Sequence, residues 1–207
     1  IMGISFLVIQ FAPGGPVDTT ARVFAKYLGE RLNQAVVVEN RAGASGMIAS
    51  DATAKATPDG YVLGFAASPT LTMSPQVQKS TLFDPRKDFT AIGLVVDYAN
   101  VLVVGPQVRA DSVQALVGHA KAHPDAVSFG SAGVGASNHL SAELLKKQAA
   151  VPMLHVPYRG NSPAMMDVVS GKITFMFDIT STAIPFVKSG KARALAVTSR
   201  NRNPELP

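Results

Sequence analysis

The sequence predicts an α/β protein of two doubly wound lobes, and three observations predict it. Short apolar or β-branched runs alternate with amphipathic helical patterns along the chain, the order that builds a parallel sheet covered on both faces. Two glycine turns, FAPGGPVD at 11–18 and GSAGVGASN at 130–138, each end a strand pattern and open a helical one. Between them a polar break, Asp97 to Asn100, precedes the β-branched run Val101 to Val104 and marks a crossing from one lobe to the other.

In chain order, the apolar run from Ile4 to Phe11 reads as the first strand, and Asp18 as the N-cap of a helix carrying Ala21, Phe24, Ala25, Leu28 and Leu32 on one face. Val36 to Val38 is a buried strand. Ser45 opens a second helix with Ile48, Ala49, Ala52 and Ala56, stopped by Pro58, Asp59 and Gly60. Tyr61 to Ala66 is the third strand, and Ser68 to Asp88 a long connection of the length that usually carries function. Ile92 to Val96 then resumes as a strand.

After Val104, Gly105 and Pro106 close the run, and Ser112 caps a helix with Val113, Leu116, Val117 and Ala120. Val127 to Phe129 enters the second glycine turn, behind which Leu140, Leu144 and Leu145 mark a helix. Met153 to Val156 is a strand; Ser162 and Pro163 read as a cap and a first helical position, with Gly171 past the helix end. Ile173 to Phe177 is a strand ending at Asp178, a short helix through Phe186 and Val187 stops at Gly190, and Ala192 to Val197 is the last strand.

Of the 207 residues 47% are hydrophobic and 16% charged, enough apolar surface for a folded core and too little charge for a disordered chain. The net charge of +5 suits an anionic partner, but the 19 Lys and Arg are scattered and Trp is absent, which argues against nucleic acid. Cys is absent, so disulfides and thiolate metal sites are excluded. The apolar opening runs into a glycine turn, with no basic start or cleavage-site pattern, and reads as a strand; a signal peptide is expected outside the sequence given.

The chemistry concentrates in the two turns. Glycines let a backbone approach a ligand closely, and the unbonded N–H groups at a helix start, at its positive dipole end, form a site for an anion. Open α/β sheets bind ligands at the carboxyl ends of their strands, where both turns lie. Each turn taken singly reads equally well as a simple reversal. Neither matches a dinucleotide or phosphate-loop fingerprint, and Ser45 and Ser131 lack the flanking glycines of a nucleophile elbow. His119 and His123 stand one helical turn apart with no acidic third ligand nearby, so no metal site is expected. His139 either faces a cleft or packs; Arg159, after a strand, is either a solvated charge or a cation for an anionic ligand. Asp178 either caps the helix behind it or points a carboxylate at the ligand.

The blocks FAPGGPVDTTAR, VVVENRAGASGMIASDATAKATPDGYVL, SAGVGASNHLSAELL and VPYRGNSPAMMDVVSGKITFMFD resemble those of the tripartite tricarboxylate transporter receptors, the Bug family. The resemblance covers the whole chain, with a departure at Gln10, where the family usually has Pro. It implies a type II periplasmic-binding-protein fold: a first lobe of 1–98 plus 198–207, lacking its C-terminal part, and a second lobe of 99–197. It further implies a monomeric periplasmic receptor that captures a small organic carboxylate and delivers it to membrane transporter components of the tripartite type or to a sensor kinase. No cofactor, catalytic residue, metal or nucleic acid is implied. The expected ligand contacts are Phe11, Gly14, Gly15, Ser68, Ser131, Gly133, Ser137, His139, Arg159 and Asp178, chiefly through main-chain amides. A reading from another class, a small α/β transferase or hydrolase using the turns for phosphate or carboxylate, requires a positioned acid, base or nucleophile.

Overall fold

The computed structural model describes residues 4–78 and 81–206. Ile1 to Gly3 of the expected first lobe, Lys79 and Ser80 of the expected connection and Pro207 of the expected tail lie outside the described residues. The chain divides into two compact units, one of residues 1–93 with 133–136, the other of residues 94–132 with 137–207.

The first unit is built on a parallel sheet in which β1 (Ser5–Ile9) lies between β2 (Val36–Asn40) and β3 (Val62–Phe65). Leu7, Val8 and Ile9 are buried and Phe6 is exposed; side chains alternate along a strand, so Leu7 and Ile9 share one face while Phe6 shares the other with the buried Val8. α1 (Pro16–Leu32) returns the chain from β1 to β2 and buries Val17, Ala21 and Ala25, with the Phe24 ring against Phe65 of β3 at 5.7 Å. The helix predicted from Ser45 begins later. Ala44 to Gly46 form a 3-10 turn in which Ala44 and Ser45 hold positive φ, and α2 (Met47–Ala54) follows. The long connection contains α3 (Ser68–Thr72) and α4 (Ser74–Val77), each with a proline near its start.

The strand predicted at Ile92 to Val96 is not formed. The segment has no ladder partner among the described residues, and Ile92 and Leu94 are 83% and 86% exposed. Apolar alternation supplies the propensity for a strand; only a neighbouring strand supplies its hydrogen bonds.

The second unit holds a five-stranded sheet in the order β6-β5-β7-β4-β8, from β4 (Asn100–Val104), β5 (Ser128–Ser131), β6 (Leu154–Pro157), β7 (Phe175–Ile179) and β8 (Arg193–Val197). β5 is parallel to β6 and β7, but β4 runs antiparallel to both β7 and β8, so this sheet is mixed where the sequence suggested a parallel one. Period-two alternation divides β4 between two cores. Leu102 and Val104 join Phe129, Phe175 and Phe177 beneath α5 (Val113–Ala122) and α6 (Ser137–Ala149). Val101 and Val103 join Met165, Val168, Met176 and Ala183 beneath α7 (Asn161–Val169) and α8 (Thr180–Lys188). Helices thus cover both faces.

Residues 198–206, expected with the first lobe, group with the second unit. Leu206 is buried in the Val101–Met165 core, and Lys188 pairs with Glu205 at 2.8 Å. Thr198 bonds Asn100 through both main chain and hydroxyl, joining the start of β4 to the end of β8.

Candidate functional site

In the first unit the site begins where β1 ends. Phe11 is buried, Gly14 is exposed with φ 78°, and Gly15 stands as the N-cap of α1 with Pro16 at the first helical position. Asp18 is therefore not the N-cap. It sits in the first turn of α1 and reaches back, accepting the Gly14 N–H at 2.9 Å and the Asn40 side-chain amide at 3.0 Å, with Arg22 beside it at 2.9 Å. Burial acts to raise its carboxyl, but the Arg22, Gly14 and Asn40 hydrogen bonds together hold it below the ordinary value. Asn40 also donates to the Phe11 carbonyl at 3.0 Å, so the end of β2 secures the turn after β1.

Gln10 extends this lacing. Only 2% exposed, it donates to Ser50 Oγ at 2.9 Å and accepts the Ala67 N–H at 2.9 Å, one residue before Ser68. Thr70 Oγ1 donates to the Ser45 carbonyl at 2.9 Å, and a Cβ on Gly46 would lie 2.8 Å from Gln10 and 2.9 Å from Thr70. The loops after β1, β2 and β3 are thereby packed together at the carboxyl edge of this sheet. Ser68 is exposed at the start of α3. Gly133, with φ 125°, packs in the same unit, where a Cβ would stand 2.5 Å from Ser45 Oγ and Ser45 donates to the Val134 carbonyl. An open groove beside α1, lined by Arg22, Lys26, Gln34, Val36 and Val38 among others, includes none of the expected contacts.

In the second unit the structure gathers Ser131, Ser137, His139 and Asp178 around the end of β5. Ser131 Oγ lies 2.6 Å from His155 Nε2, because parallel pairing of β5 with β6 places Phe129 beside His155. Phe129 stacks on the His155 ring at 4.9 Å and His139 packs on it at 4.3 Å. Burial, then the neighbouring His139, pushes His155 down to about 4; burial also lowers His139. Both shifts favour the neutral imidazoles. Ser137 is hydrogen-bonded by Tyr98, whose phenol burial pushes up.

Asp178 is fully buried at the end of β7. Its carboxylate accepts from the Asn161 side-chain amide, the Ile179 N–H at 2.8 Å and Thr182 Oγ1 at 2.8 Å. Burial raises its carboxyl. The N-cap of α8 is Ile179, without a side-chain cap bond, so Asp178 does not cap that helix in the sense predicted. The cap predicted at Ser162 likewise moves: α7 starts at Asn161 behind Gly160, whose φ is 143°. Arg159 is exposed just before that glycine. Tyr158 donates from its N–H to the Ser131 carbonyl at 2.9 Å and from its hydroxyl to Asp167 at 2.8 Å.

Sequence reasoning missed Asn138 and Asn161. Asn138 Oδ1 accepts the Ala132 N–H at 3.1 Å and the His139 N–H at 2.9 Å, closing the second turn at its base, and its amide donates to Asn161 Oδ1 at 3.3 Å. The available signal was asparagine in the first turn of a helix behind each loop, where its side chain reaches backbone amides. The histidine cluster had no signal in spacing, since it depends on strand register.

The profile of the tripartite tricarboxylate transporter family receptor matches residues 20–207. Among solved structures, the chain is 35% identical to the periplasmic binding protein BugD with a TM-score of 0.93, covering 99% of this chain and 69% of that one. It is 32% identical to R. palustris Rpa4515 with adipate, TM-score 0.92, covering 96% and 66%. It is 28% identical to MatC from Rhodopseudomonas palustris with bound malate, TM-score 0.88, covering 100% and 72%. The chain spans about three fifths of the length of curated relatives such as Protein BugT of Bordetella pertussis, to which it is 35% identical over 202 residues, 97% of this chain and 62% of the relative. These family and structural neighbours are receptors and binding proteins rather than enzymes.

Proposed function

Because the chain belongs to the tripartite tricarboxylate transporter family of receptors, we propose that it is a periplasmic receptor that takes one small organic carboxylate on its two glycine turns and passes it to membrane components of the tripartite type. The observation that carries the reading is the pair of strand-to-helix turns, with Gly14 at φ 78° and Gly133 at φ 125°, each at the carboxyl end of a strand in a parallel pairing. A glycine held in that conformation puts no side chain between ligand and main chain, and amides at a helix start stabilise a carboxylate. Solved relatives bearing adipate and malate support the ligand class.

In this reading Gly15 and Ser137 offer main-chain groups, Gly14, its own N–H held by Asp18, and Gly133 let the main chain come close to the ligand, Ser131 supplies a hydroxyl beside His155, and Phe11, Ser68 and His139 shape the ligand's surroundings. Arg159 supplies long-range attraction for an anion. Asp178, enclosed by donors of the protein, supports the turn without meeting the ligand. Thermal unfolding of the 207-residue chain with adipate, malate, aspartate, glucose and spermidine tests the proposal. At least one of the carboxylates should raise the midpoint while glucose and spermidine leave it unchanged; a shift only with glucose or spermidine overturns it.

A further inference from the structure

We infer that Asp178 and Asn161 are positioning residues that set the shape of the second glycine turn, acting through Asn138 on the Ala132 amide. The part of the inference that concerns affinity rests on the proposed carboxylate function; the part that concerns the turn does not.

The hydrogen bonds run in one direction across three elements. At one end the carboxylate of Asp178, at the end of β7, takes the Asn161 amide and the Ile179 N–H, a main-chain donor that cannot reverse. An asparagine side chain offers a carbonyl on one side and an amide on the other. With its amide turned to Asp178, Asn161 must turn its carbonyl to the Asn138 amide, and Asn138 must then turn its own carbonyl to Ala132 and His139. Those last two partners are again main-chain N–H groups. Both ends of the chain are fixed donors or acceptors, and one arrangement of the two asparagines satisfies every bond. Asp178, Asn138 and Asn161 are 0%, 2% and 9% exposed, so water does not replace a lost partner cheaply.

The consequence falls on residues 132–138. Asn138 closes the turn across its base, and Ser131 and Ser137 flank that closure. Gly133 lies next to Ala132, so its main chain inherits whatever orientation the closure imposes. What the position of Asp178 requires is an acceptor facing Asn161 and Ile179. An asparagine there meets that requirement, because its amide would face Thr182 Oγ1, whose single proton would then turn from residue 178 to the Ile179 carbonyl, 3.0 Å away.

The test is nitrogen–proton NMR of the 207-residue chain, following the Ala132 and His139 amides, with adipate and malate titrated into each variant. Asp178→Ala should shift both amides and speed the exchange of Ala132 by about tenfold, and the affinity for whichever acid binds should fall about tenfold. Asn161→Ala, a milder change, should do the same and keeps the test open if Asp178→Ala does not fold. Asp178→Asn should restore the wild-type amides and bring affinity within about twofold of wild type. Thr182→Val removes a bond to Asp178 that is off the path and should lower the melting midpoint without moving Ala132. Unmoved Ala132 and His139 amides in folded Asp178→Ala or Asn161→Ala would overturn the inference, as would Asp178→Asn behaving like Asp178→Ala. Neither acid binding the wild type, with the amides shifting as stated, would sustain the positioning role and remove the carboxylate reading instead.

Discussion

At the scale of single residues, the backbone conformation of Gly14 and the enclosure of Asp18 carry separate predictions. A Cβ on Gly14 meets nothing within 4 Å, so the cost of Gly14→Ala lies in the positive φ alone, about 1–2 kcal/mol of stability. The variant should fold, with a slightly lowered midpoint, and Gly14→Val should in addition lose the carboxylate because its branches block the close approach of a ligand to the main chain. Unchanged affinity in folded Gly14→Val, read by calorimetry, would reduce the first turn to a reversal. Asp18→Ala removes the acceptor of the Gly14 N–H, of one Asn40 amide proton and of Arg22, and should cost about 1–3 kcal/mol in denaturant unfolding. His155 supplies a pH dependence. Its folded value, about 4, is below its unfolded one, so the unfolded chain binds the extra proton first, and stability present above about 6.5 drains away as pH falls towards 4. His155→Phe should flatten that slope in melting curves taken between those limits. These roles were partly legible. Asp18 was recognisable as a helix-start acid, but which N–H it takes depends on Gly15 being the cap, and the bonds of Asp178 to Asn161 and of Gln10 to Ala67 join residues 17 and 57 positions apart.

At the scale of elements, capping and periodicity were readable wherever the information is local. Ser112 accepts the Ala115 N–H at 3.2 Å and starts α5 where the sequence placed it, so Ser112→Ala should cost about 1 kcal/mol and lower the melting midpoint without touching ligand affinity. Ser45 and Ser162 carry the same residue type and start no helix. Positive φ at Ala44 and Ser45 delays α2 to Met47, and Gly160 with Asn161 starts α7 two positions early. Strand existence is less local than helix existence. Ile92 to Val96 has a strand's composition and lacks a ladder, whereas Val101 to Val104 has the same composition and lies between β7 and β8. The direction of β4 was not legible for the same reason: a β-branched run bears no mark of whether its neighbours run with it or against it.

At the scale of the whole molecule, the sequence indicated two units, two glycine turns and helices on both sheet faces, because each follows from alternation and turn chemistry. Residues 198–206, expected with the first lobe, group with the second unit instead, because their place is decided by where Leu206 finds an apolar partner. The central claim is that one carboxylate engages both turns, and isothermal titration of the chain with the better-bound of adipate and malate, for wild type, Gly14→Val, Ser131→Ala and the double variant, tests it most directly. The account predicts one ligand per chain, with each single change weakening binding of the same ligand and the double change differing from the sum of the two. A second ligand per chain, or a folded single variant with the affinity of wild type, would contradict it.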